Sequence, residues 1–278
     1  WGQGPRGSWG SADNTEAKSG IAGALGGFKF RSIGPAFMSG RIADIAIDPT
    51  NESVWYVAVG SGGVWKTENS GTTWAPLTDS QPFYSTGCIT VDPNNPASIW
   101  LGTGENVGGR HVGIGHGIYH SKDGGKSWKD MGLKKSEHIS KIIVHPSNPD
   151  VIWVASQGPL WSSGGERGLY KSVDGGKTWK NTLEINKWTG VTDLVIDPTN
   201  PDILYAASWQ RHRNVAALMG GGPGTNLYKS VNGGDSWTKI NKGLPRSNMG
   251  KIGLAISPID PTVLYAAIEL DRRKGAVY

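Results

Sequence analysis

Short apolar runs alternate with tight bends along most of the chain, and the same order of runs and bends recurs. A first run ends at a proline bend, a second contains Trp or Tyr, and a third leads into a glycine turn. β-Branched and aromatic residues favour strands, while Pro and Gly mark the bends. No window of about a dozen residues places its apolar positions at helical spacing. The pattern predicts an all-β chain, with first runs at 45–47, 89–91, 142–144, 194–196 and 254–256.

One turn sequence occurs four times: Ser or Thr, then Asp or Asn two positions later, Gly after two more and Trp after three more. The Asp or Asn side chain can accept amide hydrogen bonds, and Gly supplies a positive φ. The Trp can bury a large area beside the hairpin. Calcium binding is the alternative, but the turn lacks several spaced carboxylates. We therefore expect a structural role, with the indoles largely buried, for Asn69, Trp74, Asp123, Trp128, Asp174, Trp179, Asn232 and Trp237.

Each unit holds four strand-like segments, and units of about 40–50 residues with four strands are typical of β-propellers. The sequence predicts a β-propeller of four-stranded antiparallel blades, of which the chain covers about four and a half. Since open sheet edges are avoided, we expect further blades or other subunits to complete the propeller. The repeats lie at about 40–80, 85–135, 138–185, 190–242 and, incomplete, 249–278. Their inner strands are predicted near 42–48, 87–92, 140–145, 192–197 and 251–257.

Residues 1–27 form a Gly- and Ser-rich N-terminal extension that does not belong to the repeat, and the propeller part spans residues 28–278. The extension is either a flexible leader or an arm anchored through Trp1 and Trp9. The chain begins with Trp instead of Met, and a cleaved export signal is one cause of this. With 42 Gly and 13 Trp, the composition fits an exported all-β protein. We expect a secreted, periplasmic or cell-surface location.

The charge pattern and the rare residue types exclude several function classes. The chain has 28 basic and 23 acidic residues, a net charge of +5, without a basic stripe that would predict a nucleic-acid partner. It has no segment with the ~20 apolar residues of a membrane span. We expect the single cysteine, Cys88, to be a small residue of the hydrophobic core. His111 and His116 lack the spacing and partners of metal ligands. We predict no metal and no cofactor.

Three long loops, at about 102–117, 156–168 and 208–226, connect the second and third strands of their repeats. In a meander blade these connections lie on one face, called here the long-loop face, and functional residues favour such loops. Carboxylates, guanidinium groups and indoles suit a glycan or an anionic protein ligand, and structural ion pairs are the alternative. If the face binds a ligand, the three loops must converge. The candidates are Glu105, Arg110, His111, His116, Trp161, Glu166, Arg167, Trp209, Arg211 and His212, with Arg110, Arg167 and Arg211 as anchors.

The repeated turn resembles the Asp-box, or BNR repeat, of sialidases, sortilin-type propellers, xyloglucanase-type hydrolases and the photosystem II assembly propeller. Further segments are similar to large exported bacterial proteins that are labelled sortilin-like or glycosyl-hydrolase-like. The resemblance covers residues 28–278 and implies the propeller fold. The segments are 30–35 (FRSIGP), 40–44 (GRIAD), 57–66 (VAVGSGGVWK), 102–106 (GTGEN) and 160–167 (LWSSGGER).

The resemblance also implies where catalytic groups should lie. In xyloglucanase-type enzymes a catalytic Asp precedes a Gly-Gly pair in the first blade, and here Gly60 stands at that position. Sialidases have an Arg in a Phe-Arg-Ile-Pro motif, which Arg31 matches only with two extra residues. Glycoside hydrolysis needs two carboxyl groups about 5–9.5 Å apart, and Glu105 and Glu166 are the candidates here.

Three functions follow from these patterns. The first is binding of a glycan or protein ligand through the long-loop face. The alternative is a glycoside hydrolase, sialidase-like or xyloglucanase-like, whose catalytic carboxylates lie partly outside this chain. The third is a structural subunit of a surface assembly.

Overall fold

The computed structural model describes residues 41–271 and 274–278. The predictions about residues 1–27, and those about the segment 30–35, lie outside these ranges. Within them the chain forms strands and turns without a helix, and no helix there could cross a membrane.

Five sheets follow one another along the chain. The first contains β1 (Ile42–Asp48), β2 (Asn51–Val59), β3 (Gly63–Thr67) and β4 (Ala75–Pro76). The second contains β5 (Thr86–Asp92), β6 (Asn95–Thr103), β7 (Ile118–Ser121) and β8 (Lys129–Asp130). The third contains β9 (Ile139–His145), β10 (Asn148–Ser156), β11 (Gly168–Ser172) and β12 (Lys180–Leu183).

The fourth sheet contains β13 (Thr189–Ile196), β14 (Leu204–Gln210), β17 (Leu227–Ser230) and β18 (Thr238–Ile240). A small hairpin, β15 (His212–Arg213) with β16 (Leu218–Met219), lies in its long loop and had no signal in the apolar pattern. The fifth contains β19 (Ile252–Ile256), β20 (Leu264–Asp271) and β21 (Lys274–Val277).

Every sheet is an antiparallel meander in which neighbours in sequence pair in space, apart from the inserted hairpin. The first strand of each sheet contacts the first strand of the next: β1 meets β5, β5 meets β9, β9 meets β13, and β13 meets β19. These are the predicted inner strands, so the predicted blade architecture is confirmed.

The hydrophobic core lies between consecutive sheets. Tyr56 and Val64 of the first sheet pack against Ile89, Val91 and Leu101 of the second, and all five are buried. Corresponding clusters join the second sheet to the third and the third to the fourth. A blade therefore buries its apolar faces against its neighbours, as expected for a repeat architecture.

Two aspartates on inner strands also join neighbouring sheets. A bulge in β1 places Asp44 so that its Oδ2 accepts from the Ile89 amide at 3.1 Å. A bulge in β13 does the same for Asp193, whose Oδ2 accepts from the Leu254 amide at 2.8 Å. Burial raises the pKa of Asp193, and the amide hydrogen bonds oppose this effect.

The four repeated turns have the hydrogen bonds that their composition requires. The Oδ1 atoms of Asn69, Asp123, Asp174 and Asn232 each accept from the backbone amide four residues later, at 2.8–3.0 Å. Side-chain hydrogen bonds from Ser127 and Thr178, together with these amides, lower the pKa values of Asp123 and Asp174 to about 2. The first hydroxyl of each turn accepts from the amide of the glycine.

The indoles of these turns are less buried than expected. Trp74 is 40% exposed, and Trp128, Trp179 and Trp237 are half-buried. Each of the last three packs against the preceding sheet: the Trp179 Nε1, for example, donates to the Met131 carbonyl at 2.8 Å. Trp74 belongs to the first of the described sheets. The deepest indoles are Trp100 and Trp153, on the second strands of their sheets.

Candidate functional site

The three long loops converge on the guanidinium group of Arg211. Its Nη1 donates to the Val107 carbonyl of the first loop, and its Nη2 donates to the Gly158 carbonyl of the second, both at 3.2 Å. Arg211 itself begins the third loop and is fully buried. A guanidinium has five donors in a fixed plane, so one side chain can join three separate loops.

Arg167 is buried in a similar way. Its guanidinium donates to the carbonyls of Gly164, Gln157, Pro159 and Ser162. Burial lowers the pKa of Arg167 to about 10 and that of Arg211 to about 9. Because both groups are buried and donate to backbone carbonyls of this chain, neither side chain is exposed to a ligand. Their position in loops was visible in the sequence, but the inward direction of their side chains was not.

The other predicted anchor and three more candidates lie at the surface. Arg110, His111, His116 and Trp161 are exposed. Arg110 donates to the Val215 carbonyl at 3.1 Å, which links the first and third loops. These side chains remain available to a ligand on the long-loop face.

Trp209 has no free apolar face. It is buried, and its ring lies beneath the Arg211 guanidinium at 5.1 Å and the Lys251 ammonium at 5.5 Å. Glu166 and His212 are half-buried. The Glu166 Oε2 accepts from the Lys135 amide at 2.7 Å, and His212 packs on Trp188 with the ring centroids 4.2 Å apart.

Glu105 is the candidate with the most distinctive surroundings. Its carboxylate is almost fully buried. Its Oε1 accepts from the Arg41 Nε at 2.9 Å and Nη2 at 2.5 Å, and its Oε2 accepts from the Gly113 amide at 2.8 Å. A charge-assisted hydrogen bond of this kind fixes both position and orientation.

A cavity of about 270 Å³ lies beside this carboxylate, and Glu105, Arg41, Gly60, Asn106 and Val107 line it together with two residues of β1. The Arg41 side chain is about half exposed there. A Cβ at Gly60 would collide with the Glu105 Oε1. The carboxylate therefore occupies the space into which a side chain at position 60 would project.

Several residues of this region were missed in the sequence. Arg41 belongs to the segment 40–44 that carries the family resemblance, which was a usable signal. Lys251 gave no signal: its Nζ reaches the Asn106 carbonyl at 2.6 Å from the fifth sheet, and burial lowers its pKa. Gln157 also reaches that carbonyl, at 3.3 Å. Among residues 41–271 and 274–278, no group of three or more His, Cys, Asp or Glu could hold a metal ion.

His138 is hydrogen-bonded to the backbone of Glu105. Its Nδ1 lies 2.8 Å from the Glu105 carbonyl and donates to it, since a carbonyl only accepts. Burial, with a smaller effect of the Arg211 charge, lowers the pKa of His138 to about 3. The imidazole is therefore neutral in the folded protein at neutral pH.

We expect the free energy of unfolding to fall as the pH is lowered from about 6.5 towards 3. In this window the unfolded His138, with a pKa of about 6.5, binds a proton that the folded residue does not. His120, whose pKa burial lowers to about 4, acts in the same direction. Urea unfolding at pH 7 and pH 5 measures the effect. His138→Gln should reduce this pH dependence, and His111→Gln, at an exposed site, should not; equal pH dependence in all three proteins would contradict the assignment.

A family model supplies the first comparison. The Sortilin-Vps10 model, described as sortilin, neurotensin receptor 3, matches residues 116–265, more than half of the chain. The chain belongs to this family.

Curated relatives of this Sortilin-Vps10 chain are xyloglucanases. It is 23% identical over 221 residues to a probable oligoxyloglucan-reducing end-specific xyloglucanase of Neosartorya fischeri, a match over 72% of this chain and 24% of the relative. It is 24% identical over 229 residues to xyloglucanase Xgh74A of Acetivibrio thermocellus, over 70% of this chain and 25% of the relative. The chain thus spans about a quarter of the length of these relatives.

Solved structures agree on the fold. An ancestral GH74 enzyme matches 86% of this chain and 29% of its own, with a TM-score of 0.66 at 24% identity. The GH74 xyloglucanase of Xanthomonas campestris matches 85% of this chain and 36% of its own, with a TM-score of 0.65 at 18% identity. The sortilin-like, glycosyl-hydrolase-like propeller that the sequence resembles is therefore confirmed.

Proposed function

We propose that this chain carries part of the active site of a glycoside hydrolase that acts on a xyloglucan-like β-glucan, with Glu105 as a catalytic carboxylate. The names of the curated relatives support the reaction class and the substrate. The observation that carries the proposal is the position of the Glu105 carboxylate in front of Gly60. A polysaccharide substrate also fits the expected location outside the cytoplasm.

Gly60 stands where the resemblance to xyloglucanase-type enzymes places a catalytic Asp. Glu105 lies in the long loop that follows the second strand of the next sheet, yet its Oε1 occupies the space that a side chain at position 60 would enter. The chain thus keeps a carboxylate at this place and supplies it from a different blade. The neighbouring cavity, of about 270 Å³, gives a sugar access to the group.

If Glu105 is catalytic, its contacts fit a base better than an acid. Arg41 and the Gly113 amide donate three hydrogen bonds to its oxygens, and an ionised carboxylate only accepts. Such a group can take a proton from an attacking water, whereas a general acid must carry a proton to donate. Glu166 is not proposed as the acid, because its Oε2 already accepts from the Lys135 amide.

We expect Glu105→Gln to reduce the rate of xyloglucan hydrolysis by about 10²–10⁴-fold, as loss of a general base does. Release of reducing ends from xyloglucan measures the rate. Glu166→Gln is the matched control and should keep the parent rate. The double variant Glu105→Gly, Gly60→Asp supplies the carboxylate from position 60 instead of position 105, and it should recover part of the lost rate of hydrolysis. Full activity in Glu105→Gln would exclude Glu105 as the catalyst.

A second candidate is binding of the same glycan without hydrolysis. It is favoured because both oxygens of Glu105 already have protein donors. In that case calorimetric titration with xyloglucan oligosaccharides would detect binding by the parent and by Glu105→Gln, while neither protein would release reducing ends. Absence of both binding and hydrolysis would overturn both candidates.

A further inference from the structure

A basic groove lies between the repeated turns of the second and third sheets, around a cavity of about 320 Å³. All its lining residues belong to these two sheets and their turns, and each of the two sheets has a described neighbour on either side. The groove is therefore bounded by complete blades. The charged, imidazole and apolar side chains that line it are those of Lys122, Lys129, Lys177, His120, Trp128 and Met131.

The repeat places equivalent positions between the other pairs of sheets, and there the charges are paired. Between the first and second sheets, the Lys66 Nζ lies 2.6 Å from the Glu68 Oε1. Between the third and fourth sheets, the Lys171 Nζ lies 2.8 Å from the Asp235 Oδ1. Lys66 and Lys171 each directly precede the first hydroxyl residue of a repeated turn. In both places an acidic residue of a repeated turn neutralises this lysine.

The basic groove has lysine at both of these acidic positions. Lys122 stands at the repeat position of Glu68, and Lys177 stands at that of Asp235. The position of the paired lysine is occupied by His120, whose pKa burial lowers to about 4, so the imidazole is neutral at neutral pH. The acid–base pair of the other two places is thus replaced by ammonium groups.

Neighbouring carboxylates do not neutralise the three lysines of the groove. Asp123 accepts hydrogen bonds inside its own turn, and Asp130 forms an ion pair with Lys134 at 2.6 Å. Asp150, beside the turn of the third sheet, is a single carboxylate at the border of the groove. In the part of the chain that the structure describes, no ion pair includes a groove lysine. The groove therefore has an excess of positive charge.

We propose that the basic groove binds an acidic sugar residue of a polysaccharide, through a carboxylate or sulfate group on the sugar. The lysine ammonium groups can donate charge-assisted hydrogen bonds to such an anion. Trp128 and Met131, both half-buried, offer apolar surface to the sugar ring. Three ammonium groups beside an indole thus match a ring that carries negative charge.

The basic groove is separate from the site around Glu105. It lies at the turn ends of β7 and β11, whereas the long loops enter these strands at their opposite ends. Its ligand also differs from xyloglucan, which is a neutral polysaccharide. The groove would therefore hold the protein on an acidic polysaccharide without taking part in the reaction proposed for Glu105.

Calorimetric titration tests the site with tetragalacturonic acid, which carries carboxylates, and with a carrageenan tetrasaccharide, which carries sulfates. We expect at least one of them to bind, and the one that binds identifies the anionic group. The methyl ester of tetragalacturonic acid has the same rings without the charge, and inorganic sulfate has charge without a ring. Both should bind at least about tenfold more weakly, since each lacks one of the two kinds of contact.

Lys177→Asp and Lys126→Asp form a matched pair of variants. Both lysines are exposed and stand at the same position of successive repeated turns, so the two changes alter the net charge equally. Lys177 lines the groove, whereas Lys126 lies near Glu68 of the first sheet. Lys177→Asp should weaken binding of the acidic tetrasaccharide at least about tenfold, because it places a carboxylate in the groove. Lys126→Asp should bind as the parent does.

Lys122→Glu is a second variant, which places a carboxylate at the repeat position of Glu68. It should weaken binding in the same direction as Lys177→Asp. Thermal unfolding followed by circular dichroism checks that all variants, changed at exposed positions, keep the parent fold. Release of reducing ends from xyloglucan should be the same in Lys177→Asp and in the parent, so the groove and the site around Glu105 are tested separately.

Three results would overturn the proposal. Binding of neither acidic tetrasaccharide by the parent would show that the groove is not a site for acidic sugars. Equally tight binding of the methyl ester or of inorganic sulfate would show that charge and ring do not act together. Equal weakening by Lys177→Asp and Lys126→Asp would reduce the effect to the net charge of the protein.

Discussion

Replacing Trp153 by Ala is expected to lower the free energy of unfolding by about 3–5 kcal/mol, the range for removing a large aromatic side chain from a core. The ring is buried in the cluster between the third and fourth sheets. Its Nε1 donates to the Gly233 carbonyl, in the repeated turn of the fourth sheet, at 2.9 Å. The substitution therefore removes apolar area and a hydrogen bond that joins two blades.

The matched comparison is Trp74→Ala, which removes the same side chain from the 40% exposed position in the first sheet. There we expect a loss below about 1 kcal/mol, since surface substitutions without cavity formation have small effects. Urea unfolding of the three proteins at one pH measures both values. If Trp74→Ala and Trp153→Ala cost the same, burial against the neighbouring sheet is not what makes Trp153 important.

The second large effect is expected for Arg211→Ala, at about 3–5 kcal/mol. The substitution leaves a cavity over the Trp209 ring and leaves the Val107 and Gly158 carbonyls without their donor. Buried carbonyls that lose a charged donor are costly. Because these hydrogen bonds hold the first two long loops to the third, the loops should also become more mobile, and amide hydrogen exchange in residues 104–117 should rise.

Two other variants separate the sources of this effect. Arg211→Met keeps most of the side-chain volume and loses the donors, so its loss should be smaller than that of Arg211→Ala while loop exchange still rises. Arg110→Ala removes an exposed arginine whose hydrogen bond also joins two long loops, and we expect about 1 kcal/mol or less. A stability of Arg211→Ala close to that of the parent would mean that the loops converge without the guanidinium.

For the glycan proposal, these stability variants have a further use. Arg211 donates to the carbonyl of Val107, which lines the cavity beside Glu105. Loosening the first loop should therefore lower hydrolysis or binding as well, because Glu105 belongs to that loop and its geometry depends on it.

The sequence by itself determined the blade. The repeated Ser/Thr–Asp/Asn–Gly–Trp turn and the proline bends depend on residues close in sequence. Side-chain oxygens of Ser/Thr and Asp/Asn accept nearby amide hydrogens, Gly supplies a positive φ, and Pro has a fixed φ and no amide hydrogen. Between bends, the β-branched and aromatic runs leave strand as the favoured state. This is why the inner strands, the strand order and the family resemblance were predictable from residues near each other in the chain.

Only the tertiary structure decided which side chains are free to act. Arg41 meets Glu105 across 64 residues of sequence, and Arg211 meets Val107 across 104. Arg167 and Arg211 were expected to be surface anchors because loops are usually solvated, but both side chains are buried, and hydrogen bonds to backbone carbonyls offset the loss of water. Likewise, the turn tryptophan is half-buried in the second, third and fourth sheets, where it packs against the preceding sheet. Burial depends on neighbours that sequence spacing does not specify, whereas turns depend on the residues that form them.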